Sequence, residues 1–127
     1  MIGVMEVGGA YRRAMMATAG PRSIEAETME KINREMIGSA ARRNDDFPGY
    51  VAALARNASL WTVLAADVAL DSNPLPNETK ALIWNLSAFV RRVTQDLMRG
   101  EGKGDIASLI EINSNVASGL RGVRRGD

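Results

Sequence analysis

Asn113 is the polar residue that this sequence places where it costs most. It stands in the run Asp105-Ile-Ala-Ser-Leu-Ile-Glu-Ile-Asn-Ser-Asn-Val-Ala-Ser-Gly-Leu-Arg-Gly122. Wound at about 100° per residue, the run gathers Ile106, Leu109, Ile110, Ile112, Val116, Ala117 and Leu120 on one side. Glu111, Ser114, Asn115 and Ser118 fall on the other, and Asn113 lands in the middle of the apolar side. A buried amide without a partner costs about 1–3 kcal/mol. Asn113 therefore needs a hydrogen bond from another helix, a buried water or a binding partner. It is either a core amide that fixes helix register or a recognition contact.

Little else in the chain has the character of a catalyst. There is no cysteine and no histidine, which removes disulfides, thiolate ligands, the cysteine nucleophile, the commonest general base and the commonest metal ligand. No helix face carries metal-ligand spacing, a nucleophile beside a base, or an isolated carboxylate pair. That pattern argues against an enzyme, a cofactor and a small-molecule substrate. Gly100-Glu-Gly-Lys-Gly104 follows no strand and ends without serine or threonine, so it reads as a flexible link and not as a phosphate loop. The 16 basic residues nearly cancel the 15 acidic ones, and no basic strip carries interleaved aromatics, which argues against direct nucleic-acid binding. Trp84 is the other residue out of place. It projects among Ala88, Arg91 and Gln95, away from the apolar side of its helix. Tryptophan beside arginine is enriched at protein interfaces; the competing reading is that the amino-terminal segment folds over it. The oligomeric state stays open.

The elements that must position these residues are helical. No alternating run bounded by turn residues marks a strand, whereas four segments repeat at helical spacing. At 127 residues there is room for one domain and one core. The expectation is an all-α fold: a compact bundle of about four main helices, with a short extra amino-terminal helix over residues 10–19 stopped by Gly20-Pro21. Residues 1–9 form a flexible lead-in, 10–122 the domain and 123–127 a flexible basic tail. The first long helix starts at Ser23 as its cap, runs to about Arg43, and carries a narrow stripe of Met29, Ile32, Met36 and Ala40 with Ile37 at one side. Five of the seven methionines lie between Met5 and Met36, and flexible thioethers suit an adaptable surface or a core filler.

The second helix runs from about Pro48 to Leu70 and supplies most of the core. Tyr50, Val51, Leu54, Ala58, Trp61, Leu64, Ala65 and Val68 cover about half of its circumference. Trp61, at the centre, is the packing anchor. Pro74 and Pro76 break the chain before a third helix that ends near Arg99, with Leu82, Ile83, Leu86, Phe89, Val90, Val93 and Leu97 inward. The fourth helix is capped by Asp105 and stopped by Gly122. Trp61, Leu64, Leu86, Phe89, Leu109 and Val116 are the expected structural core. No apolar run approaches the roughly 20 residues that cross a bilayer. The opening residues also lack the basic flank and apolar stretch of a secretion signal, so a cytoplasmic location is expected.

Several pieces, taken in order, resemble the FlaF flagellar biosynthesis regulators across roughly residues 10–122. They are Ala10-Tyr11; Pro21-Arg22-Ser-Ile-Glu25-Ala26; Asn57-Ala-Ser-Leu60-Trp61 with Asp67; Asn73-Pro74-Leu75-Pro76; and Leu109-Ile110-Glu111-Ile112-Asn113 closed by Gly119-Leu120. The lead-in before residue 10 and the methionine richness depart from the pattern. The resemblance implies a small, mostly helical bacterial cytoplasmic protein that promotes flagellin production and export. It also implies association with flagellin as a secretion chaperone, and action opposite a second regulator, FlbT, that restrains flagellin translation. Met29, Met36, Trp84, Arg91, Glu111 and Asn113 are the candidate partner contacts. A groove that opens beside the Met29 to Ala40 stripe would cover an amphipathic flagellin helix. Control of flagellin messenger RNA, directly or with FlbT, and a purely structural helical adaptor are the alternatives.

Overall fold

The computed structural model describes residues 26–100 and 105–124, with the side chains of the last helix described up to Ser118. Four helices account for nearly all of these: α1 (Ala26–Ala41), α2 (Phe47–Ala69), α3 (Asn77–Arg99) and α4 (Ile106–Arg124). No strand occurs among the described residues. The expected helix over residues 10–19, the lead-in, the Ser23 cap, the link over residues 101–104 and the tail from residue 125 lie outside them.

Each helix begins and ends for a local reason. The Asp46 carboxylate accepts a hydrogen bond from the Gly49 amide at 3.0 Å, which satisfies one of the free donors of the first turn of α2. Pro48 sits in the same first turn, where its missing N–H is harmless. Gly49 is required by that cap, because a Cβ there would run into the Asp46 carboxylate. After α2, Asn73 folds back so that its side-chain oxygen accepts from the Leu75 amide at 3.0 Å. This closed turn buries both Asn73 and Leu75 ahead of the second proline. Gly100 ends α3 in the left-handed conformation, φ 71°, with its amide bonded to the carbonyls of Asp96 and Leu97. Asp105 caps α4 through the Ala107 amide at 2.9 Å. The expected stop at Gly122 does not occur: α4 continues to Arg124. Glycine permits a left-handed stop without imposing one.

α2 packs most extensively on α3, and α1 on α4; α1 also contacts α2, and α3 contacts α4 more lightly. The four therefore stand in a ring in chain order, with α1 and α3 on one diagonal. The Glu35–Arg56 ion pair and the Ser87–Trp61 hydrogen bond each span a connection nearly symmetrically, as expected of antiparallel neighbours joined by short loops. Trp61, Leu64, Leu109 and Val116 are buried as expected, beside Met29, Met36, Tyr50, Leu54 and Ile112. Leu86 and Phe89 are half-buried and pack against the margin of that core. The Arg92 guanidinium lies 5.7 Å from the Phe89 ring centre, which places that ring at the boundary with solvent. On α1, Ile32 sits at the edge and Asn33 takes its place inside.

Candidate functional site

Two places on the bundle have properties beyond packing. One is internal. Asn113 is fully buried, and the indole of Trp61 settles which way its amide points. An indole N–H only donates, so the carbonyl oxygen of Asn113 must face it, and it accepts that hydrogen bond at 2.9 Å. The amide nitrogen is thereby turned to the far side. There it donates to the side-chain oxygens of Asn57 at 2.7 Å and Asn33 at 3.1 Å. Asn33 passes its own two protons back to α4, to the Ile110 carbonyl and the Ser114 hydroxyl, both at 3.1 Å. α3 joins through the Ser87 hydroxyl, which donates to the Trp61 backbone carbonyl at 3.1 Å. Every helix thus contributes to one polar layer across the middle of an otherwise apolar core. Asn57 Nδ2 is buried without a hydrogen-bond partner among the described residues. A layer of this kind fixes the register of four helices, because a slip of any one of them orphans several amides at once.

The second place is external. Between α1 and α2 lies an open groove of about 450 Å³ lined by Ile32, Ala55, Arg56, Ser59, Leu60 and Val63. Val63 leaves 55 % of its surface exposed. The Arg56–Glu35 ion pair, 2.8 Å between nitrogen and oxygen, spans the two helices beside it. An open apolar trough between two neighbouring helices, with an ion pair beside it, has the chemistry that accepts the apolar stripe of another helix. Its lining carries no carboxylate, and among the described residues no group of three or more acidic side chains comes together.

The expected contact residues divide between inside and outside. Met29 and Met36 are completely buried, facing the core and not the groove. Asn113 is equally buried, so a partner meets it only if the bundle opens. Trp84, Arg91 and Glu111 are exposed, Trp84 on α3 and Glu111 on α4, apart from the groove. Sequence reasoning passed over Asn33 and Val63, and it singled out Asn57 and Leu60 as family markers without giving either a role. Asn33 falls four residues after Met29 and three before Met36, and Asn57 three after Leu54 and four before Trp61. These are the same spacings that mark Asn113 as buried. Val63 has a weaker signal, since a lone exposed valine is ordinary on any helix.

Asn57, Trp61 and Asn113, all within the pieces that carry the family resemblance, meet in the polar layer. Asn73 and Leu75, from another such piece, build the turn after α2. None of the described helices is long and apolar enough to cross a membrane. Neither a curated protein nor a solved structure matches the chain. A family model does: that of flagellar protein FlaF matches residues 8–120, most of the chain, which therefore belongs to the FlaF family of flagellar proteins.

Proposed function

We propose that this protein binds flagellin in the cytoplasm as a secretion chaperone, and that by doing so it promotes flagellin synthesis and export. The observation that supports this reading most is the groove between α1 and α2. Its apolar lining, with Ile32, Leu60 and Val63, suits the apolar stripe of an amphipathic helix, which is the kind of segment that flagellin presents at its ends. Membership of a flagellar family is in keeping with a flagellar partner, and the groove offers a means of holding one. Shielding such a helix keeps it from pairing with other filament subunits before export, since exposed apolar stripes associate with one another.

The test is co-migration on a sizing column of the purified protein with full-length flagellin and with flagellin trimmed at either end. The full-length subunit is expected to shift into a shared peak at micromolar concentrations, and one of the two trimmed forms to lose that shift. Val63→Glu should abolish the shared peak while circular dichroism stays helical, because a charge on the groove floor is desolvated by the bound helix. Separate peaks for every flagellin form would overturn the reading.

A further inference from the structure

We propose that the outer face of α3 is a second docking surface, one that takes a negatively charged amphipathic helix from another protein. The face is built around Trp84, which is 51 % exposed. Ala81 lies one turn before it and Ala88 one turn after, both exposed, so the indole stands as a ridge between two shallow notches where a helix backbone approaches closely. Arg91 and Arg99 continue the same stripe toward the carboxyl end of α3 and are also exposed. Neither arginine has an acidic partner among the described residues. The two acidic residues of α3, Glu78 and Asp96, fall about 120° around the helix from Trp84 at about 100° per residue. The stripe therefore presents an aromatic anchor and unpaired cations with no acid between them, in a protein whose charges otherwise balance.

Charge selects the occupant. A second copy of this chain laid parallel on the same patch would bring Arg91 and Arg99 against their own equivalents, like charge facing like; laid antiparallel about Trp84, it would set Arg91 opposite Asn77 and give neither arginine an acidic partner on the stripe. An RNA strand would find phosphate contacts here, but Trp84 is the sole aromatic on the stripe and successive bases need successive rings. An acidic helix meets both demands: its apolar stripe covers Trp84 and the alanines, and its flanking carboxylates pair with the arginines in bidentate geometry. α3 and α1 occupy opposite corners of the bundle. The α1–α2 groove is lined by Ile32 and by residues of α2, none of them on α3, so the two surfaces share no residue and the protein is a two-sided adaptor with a place for each of two helices. This surface stands independently of the flagellin reading.

The probe is a fluorescently labelled helical peptide with leucine and alanine along one face and glutamate on its flanks, titrated with the full chain and followed by anisotropy. A counterpart with lysine in place of glutamate and an oligouridylate serve as comparisons. The acidic peptide is expected to bind and to weaken with added salt. Trp84→Ala and Arg91→Glu are each expected to lower its affinity about tenfold or more, the loss typical of an anchor residue. Val63→Glu in the groove should leave it unchanged. The proposal is overturned if the lysine peptide or the oligouridylate binds as tightly. It is also overturned if Val63→Glu removes binding while Trp84→Ala does not. Sedimentation showing a dimer that Trp84→Ala dissolves would give the face to a second copy and overturn it as well.

Discussion

The two tryptophans of this chain are a natural experiment in what surrounds a side chain. Trp61 is 2 % exposed and Trp84 51 % exposed, although both sit mid-helix. Trp61 has Asn57 and Leu64 one turn to either side and Asn113 across the core, so its ring is packed and its N–H is bonded. Trp84 has Ala81 and Ala88 one turn to either side, small side chains that leave half of its surface exposed. The same residue type is structural in one setting and available to a partner in the other. The difference lies in helix phase and in whether the polar edge of the ring has an acceptor. Substitutions should separate the two regions by size of effect.

Trp61→Ala is expected to be the most damaging change, at about 3–5 kcal/mol for the lost ring volume, measured by urea or thermal unfolding. Trp61→Phe sharpens the point by keeping most of the ring and deleting the donor. It leaves the Asn113 carbonyl unpaired in the core at a cost of about 1–3 kcal/mol. If Trp61→Phe were neutral, the hydrogen bond to Asn113 would be incidental and the layer would be packing alone.

Asn113→Ala comes next. It removes the acceptor for Trp61 and the donor to both Asn33 and Asn57, and each group left unpaired costs about 1–3 kcal/mol. The effect should be strongly non-additive with Asn33→Ala or Asn57→Ala, because the second change removes a group the first has already orphaned. Replacing all three by leucine should restore part of the lost stability, since the three amides then leave no polar atom of their own to satisfy and the Trp61 N–H is the donor left without its acceptor. The restored protein is expected to unfold less cooperatively, the mark of a bundle whose register is no longer specified. Additive single effects would dissolve the network into separate contacts.

A smaller loss tests the frame that holds the two regions apart. Gly49→Ala pushes a methyl into the capping carboxylate of Asp46, and Asp46→Ala deletes the cap outright. Each should cost about 1 kcal/mol, and the double variant little more than either, which a double-mutant cycle in urea measures directly.

Much of this arrangement was legible in the order of residues. Apolar spacing gives the helices, the prolines and glycines give most of the breaks, and the outward phase of Trp84 follows from the same count that turns Leu86 and Val90 inward. Two things were less legible. Asn33 and Asn57 obey the spacing that marks Asn113, yet pairing across three helices depends on which helices are neighbours, and periodicity within one helix carries no information about that. The groove depends on it too: Ile32 and Val63 are ordinary residues until α1 and α2 set them side by side. Gly122 shows the opposite error, where a residue able to end a helix does not, because a stop needs following residues that turn away.

The gentlest change is Trp84→Ala, and its value lies in being gentle. A side chain half in solvent, with alanines for neighbours on its own helix, contributes little to folding, so stability should move by no more than about 0.5 kcal/mol. Fluorescence of this variant comes from Trp61 alone, whose ring is buried, and acrylamide should quench it far less than it quenches the parent protein. Both readings can be taken on one sample before any partner is added. A destabilisation comparable to that of Trp61→Ala would mean that Trp84 is held by contacts with residues 1–25, and the outer face of α3 would then belong to the fold. A stable protein with a shielded remaining indole leaves that face open, and any loss of partner binding in the variant is then a loss of contact and not of structure.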